Sequence, residues 1–139
     1  MTAPVLVIAP HFPHAGRARD GQGRYVLEAT LAIAHTGRRV RVLALRFGDD
    51  PLQETMEGVE IARVEPCRPL GSVFDLYAGG ALVDSSTRLG ERALSVARET
   101  HSVSWCHGYE CGLVAKALAR ANLPVVGVLH YLVAQESIH

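Results

Sequence analysis

Residues 4–42 constrain the fold more than any other stretch. The apolar run Val5-Leu6-Val7-Ile8-Ala9 stops at Pro10, and a loop bearing glycine, arginine and histidine follows from His11 to Gln22. Gly23-Arg24-Tyr25 then opens a segment of helical period that ends at Gly37, and a second apolar strand starts near Val40. Strand, glycine-bearing loop, helix and strand in this order put the N–H groups of a helix start at the carboxyl end of a buried strand. Open α/β sheets take phosphorylated ligands at that place.

The alternation continues downstream. Val26, Leu27, Thr30, Leu31, Ile33 and Ala34 recur at helical spacing, and a strand is expected over Arg39 to Leu45. Gly48-Asp49-Asp50-Pro51 reads as a turn and Gly58 to Glu65 as a short strand. Phe74, Leu76 and Tyr77 suggest a helix fragment before Gly79-Gly80. Helices are expected over Ser85 to Glu99 and Tyr109 to Ala121, with a strand at Val103 to Cys106. The β-branched run from Pro124 to Leu129 is expected to be a buried parallel strand. Ser85-Ser86-Thr87 reads as an N-cap, and Asp49, Asp50, Glu54 and Glu57 as solvated turn and helix residues. The predicted class is therefore α/β: a Rossmann-like parallel sheet with helices on both faces.

The chain has 139 residues, a size that suggests one domain over 1–139. Fourteen basic residues balance fourteen acidic ones, which removes the electrostatic case for nucleic acid. Three cysteines, Cys67, Cys106 and Cys111, are too few for a disulfide framework, so a cytoplasmic location is expected. No apolar run approaches the ~20 residues of a membrane span, and the N-terminus has no basic leader region.

Three polar clusters follow parallel strands: His11 to Arg24, His107 to Glu110, and His130 to Glu136. Parallel strands end on one edge of the sheet, so all three can converge. The first loop carries His11, His14, Arg17, Arg19 and Asp20 with Gly16, Gly21 and Gly23. Arginine contacts phosphate in a bidentate manner, and glycine lets the backbone approach a ligand. The spacing is neither a dinucleotide fingerprint nor a Walker A loop, which argues against a nicotinamide oxidoreductase. Cys106, His107 and Cys111 lack the paired spacing of a zinc site, and no nucleophile elbow occurs.

Taken together, Ala9-Pro10-His11-Phe12-Pro13, Gly21-Gln22-Gly23-Arg24-Tyr25-Val26, Gly37-Arg38-Arg39-Val40-Arg41-Val42, Cys106-His107 through Gly112, and Val125 to His130 resemble the N-terminal half of retaining GT-B glycosyltransferases of family 4. The order and spacing match over nearly the whole chain. Three positions depart from the pattern: Asp20 for a glycine, Arg38 for a histidine, and Trp105 for the first histidine of a His-x-His.

The resemblance implies an acceptor-side Rossmann-like domain that closes on a C-terminal domain holding a nucleotide diphosphate sugar. A hexose would pass to an acceptor hydroxyl with retention, without a metal or other cofactor. Gly21, Gly23 and Arg24 would line the crevice near the diphosphate, with His107, Tyr109 and Glu110 near the sugar or acceptor. His130 would stand at the reacting centre. The donor-holding paired glutamates belong to the C-terminal half, so the chain is expected to be a truncated or free-standing half and inactive alone. The competing expectation is a non-catalytic half that pairs with a separate C-terminal domain. Neither requires nucleic acid or a transmembrane segment, and peripheral membrane contact stays open.

Overall fold

The computed structural model describes residues 2–18 and 21–128, with Tyr109 described by its backbone alone. Six strands form one sheet: β1 (Val5–Ile8), β2 (Val40–Leu45), β3 (Gln53–Met56), β4 (Val59–Val64), β5 (Val103–His107) and β6 (Val125–Val128). Their order is β3-β4-β2-β1-β5-β6, all parallel except β3, which pairs antiparallel with β4. Three helices, α1 (Gly21–His35), α2 (Ala81–Thr100) and α3 (Gly112–Arg120), complete the α/β, Rossmann-like layers.

The pleat of β1 sorts the core into two halves. Leu6 and Ile8 join Leu43, Leu45, Leu89, Ala93, Cys106, Val114 and Leu118 beneath α2 and α3. Val5 and Val7 join Val26, Leu27, Val42 and Ile61 beneath α1. Both faces of the central strands are therefore covered, which explains their unbroken apolar runs. From β1 the chain moves outward through α1 to β2. From β4 it returns through α2 to β5, on the other side of β1. This reversal between β1 and β5 opens a crevice at their carboxyl ends.

Four sequence expectations change. Gln53–Met56 is a strand, joined to β4 by a two-residue turn in which Glu57 and Gly58 both have positive φ (48° and 82°). That is a type I′ hairpin. Glu54 accordingly lies on a strand and not on a solvated helix. Ser85 and Ser86 are buried in the second turn of α2, whose N-cap is Gly80 (φ 74°). Finally, β6 is parallel to β5 but is not buried, with Val126 46% exposed.

Candidate functional site at the β1/β5 crevice

The crevice is assembled from the first turn of α1, the end of β5 and a 3-10 turn at Val73–Tyr77 that precedes α2. Strand alternation decides where the β5 side chains go. Cys106 lies in the α2/α3 half of the core, whereas Trp105 packs into the α1 half. His107 shares the parity of Trp105. It is 1% exposed, with its ring 6.5 Å from that of Trp105 and 6.0 Å from that of Tyr25 on α1.

Gly108 ends the strand with φ +83°, a conformation few L residues adopt, and its N–H donates to the Val128 carbonyl of β6. Two side chains occupy the space above its Cα. A Cβ there would lie 2.5 Å from Gln22 Nε2 and 2.7 Å from Glu110 Oε2. The Gln22 amide and the Glu110 carboxylate therefore converge over one backbone atom.

Glu110 is 7% exposed, and the Tyr77 hydroxyl donates to its Oε1 at 2.8 Å. Its Oε2 is buried without a hydrogen-bond partner among the described residues. Such an oxygen is costly, since a desolvated acceptor left empty forfeits about 1–3 kcal/mol. The Cys111 thiol beside it is pushed well above its usual range, mainly by burial and further by electrostatic repulsion from its neighbours Cys106 and Glu110. Burial alone raises Cys106 to about 12. Both thiols are therefore held neutral and are poor nucleophiles or metal ligands. Among the described residues no group of three His, Cys, Asp or Glu side chains is placed to hold a metal ion.

The first loop is pinned outward, toward the hairpin. Arg63 on β4 is fully buried and donates to the Phe12 and Pro51 carbonyls at 2.9 Å and to Glu54 Oε1 at 2.8 Å. His14 Nδ1 lies 2.8 Å from Glu54 Oε2. Burial works to raise the Glu54 pKa, but hydrogen bonds from Arg63 and His14 and the Arg63 charge outweigh it and hold it low. His11 sits 3.8 Å from Asp50, its ring edge-on to Phe47. Thus His11 and His14 brace the loop against the β2–β4 side of the sheet. The Arg63–Glu54 clamp was missed because Gln53-Glu54-Thr55-Met56 is polar; a two-residue Glu-Gly spacer before Val59 was its available signal.

Of the sequence-predicted site residues, the structure gathers Gly23, His107 and Glu110 around the start of α1 and the end of β5. Gly23 is buried and Gly21 is exposed in the same first turn. Arg24 does not join them. Its side chain is 74% exposed, it pairs with Glu28 at 3.4 Å, and it lines a separate groove of about 670 Å³ with Gly16, Arg17, Gly21 and Leu27. Tyr109 begins the turn between Gly108 and Glu110. His130 lies outside the described residues. Gln22 and Tyr77 are the additions: the first was passed over inside the glycine motif, the second belonged to the segment with the weakest pattern.

Among the described residues no helix is long and apolar enough to cross a membrane. Set against known proteins, the chain matches no family model and no curated sequence.

Proposed function

We propose that this chain is the acceptor-side, N-terminal domain of a cytoplasmic retaining GT-B glycosyltransferase that moves a hexose from a nucleotide diphosphate sugar to a hydroxyl. The reading rests on one observation above the others. The motif-bearing turn Gly21–Arg24 and the segment Cys106–Gly112 meet at the β1/β5 reversal, the place where a parallel sheet binds ligands. The family resemblance puts diphosphate contacts on the first of these segments and sugar or acceptor contacts on the second.

In this reading the buried polar side chains at the end of β5 orient the acceptor, and the α1 N-terminus offers N–H groups toward developing negative charge on the leaving diphosphate. The donor itself is held by a second domain. Assay of the protein encoded by the complete reading frame against uridine and guanosine diphosphate hexoses tests this. Transfer is expected there, and none from the 139-residue chain alone. His130→Ala is expected to lower turnover far more than His14→Ala, since His14 is committed to Glu54. Turnover by the pure 139-residue chain, or equal mild effects of the two substitutions, would overturn the proposal.

A non-catalytic pairing half is the second reading. It is favoured by Trp105, which fills the position of a family histidine and packs against the α1 half of the core. An unlabelled C-terminal domain that binds this chain while the pair shows no transfer would favour it.

A further inference from the structure

The rim of β5 holds a buried acceptor that the described residues leave without a donor. Glu110 is more than nine-tenths buried; one of its carboxylate oxygens takes the Tyr77 hydroxyl and the other, Oε2, has no donor among the described residues. Oε2 and Gln22 Nε2 stand 2.7 and 2.5 Å from a common point above Gly108, which sets them no more than about 5 Å apart. One is an acceptor and the other a donor. A single group that both donates and accepts, placed about 2.8 Å from each, would satisfy both.

We infer that Gln22 and Glu110 form a hydroxyl-reading subsite for a neutral polyol, in which one alcohol donates to Glu110 Oε2 and accepts from Gln22 Nε2. An ammonium group can donate to the carboxylate but cannot accept from the amide, so the pair selects alcohols over amines. Gly108 is what lets the two side chains come together, because any Cβ there would stand in the space they occupy. Gln22 is only half-buried whereas Glu110 is buried, so a ligand would enter from the Gln22 side. Tyr77 fixes the carboxylate by its other oxygen, so the open oxygen keeps one orientation. This subsite rests on the acceptor-side reading only for its direction toward sugars.

The test is a nitrogen-15 NMR titration of the 139-residue chain with methyl α-D-glucopyranoside, and in parallel with methylammonium chloride. The glucoside is expected to give saturable shifts at the amides of Gly23, Gly108 and Cys111, and methylammonium none. Removing a hydrogen bond to a charged group weakens binding about tenfold or more, and a neutral one several-fold. Glu110→Gln should therefore show the first loss and Gln22→Ala the second. Gln22 is half-exposed, so its variant tests the subsite even if Glu110→Gln fails to fold. No saturable shift with the glucoside (a bound water only), shifts with methylammonium at the same amides, or unchanged binding by a folded variant would each overturn the subsite. No sugar transfer is measured, so failure here leaves the transferase proposal standing, and failure of the transferase assay leaves this binding result intact.

Discussion

Gly108 and Gly58 make a matched pair for measuring how tightly the crevice is packed. Their φ angles are nearly equal, +83° and +82°, but the space around them differs. A Cβ at Gly58, in the β3–β4 turn, meets nothing within 4 Å, whereas at Gly108 it meets Gln22 Nε2 at 2.5 Å and Glu110 Oε2 at 2.7 Å. Gly58→Ala should therefore cost only the backbone strain, about 1–2 kcal/mol. Gly108→Ala carries that same strain plus a steric term of about 1–3 kcal/mol, because the buried Glu110 cannot withdraw. Subtracting one variant from the other cancels the backbone contribution. Urea unfolding followed by circular dichroism gives both numbers. The double variant Gly108→Ala/Gln22→Ala should recover part of the steric term, since it removes the nearer of the two obstructing atoms. Equal losses for the two single variants, within about 0.5 kcal/mol, would refute the claim that Gln22 and Glu110 converge over Gly108.

Other outcomes follow from the same geometry. Arg63→Met keeps the apolar stem but strips Glu54 and the Phe12 and Pro51 carbonyls of their donor; the expected loss is about 3 kcal/mol in urea unfolding, toward the lower end for a broken buried pair because Glu54 retains some solvent. Glu54 is held below its ordinary value of 4.5, so the stability it contributes is present above that value and lost as pH falls through the lower folded value. Glu54→Gln should accordingly flatten the acid limb of the urea midpoint between neutral pH and pH 3. Iodoacetamide at pH 8 should alkylate Cys67 in the native protein and spare Cys106 and Cys111, with all three modified in denaturant, as intact mass will show. Because Cys106 is shifted up to about 12, folding should lose stability as pH rises from about 9 toward that value, and Cys106→Ala should blunt the loss.

How much of this was legible in the sequence depends on whether the pattern was carried by apolar residues or by polar ones. β1, β2, β5 and the three helices follow from hydrophobic runs and helical spacing, because each must bury one face or both. The edge hairpin was hidden: Gln53 to Met56 alternates exposed and half-buried residues with no apolar stripe, so its glutamates resemble turn residues. The start of α2 was misplaced by four residues because Ser85 and Ser86 are good caps in isolation. Here they are small hydroxyl residues tucked inside the helix, and a left-handed Gly80 makes the start. β6 carries a β-branched run that normally marks burial, but it pairs on only one side among the described residues, so Val126 stays open. At the site, His107 and Glu110 could be placed from the end of β5. Tyr77 could not, since only the tertiary fold brings it 33 positions along the chain to Glu110.

The division of the crevice follows from helix geometry. Successive residues of α1 turn by about 100°, so Gln22 and Tyr25 share a side while Arg24 lies about 200° from Gln22. Gln22 and Tyr25 accordingly meet Gly108 and His107, and Arg24 meets Arg17 in its own groove. A single hollow containing both Arg24 and His107 would need the first turn of α1 to point in two directions. The rim therefore presents the arginine-bearing groove and the Gln22–Glu110 pair on opposite sides of one helical turn. A ligand with an anionic end and a polyol end would have to straddle that turn to use both. Gly21 is exposed there and has no side chain, so its backbone is the surface such a ligand would cross, while Gly23 is buried beneath it.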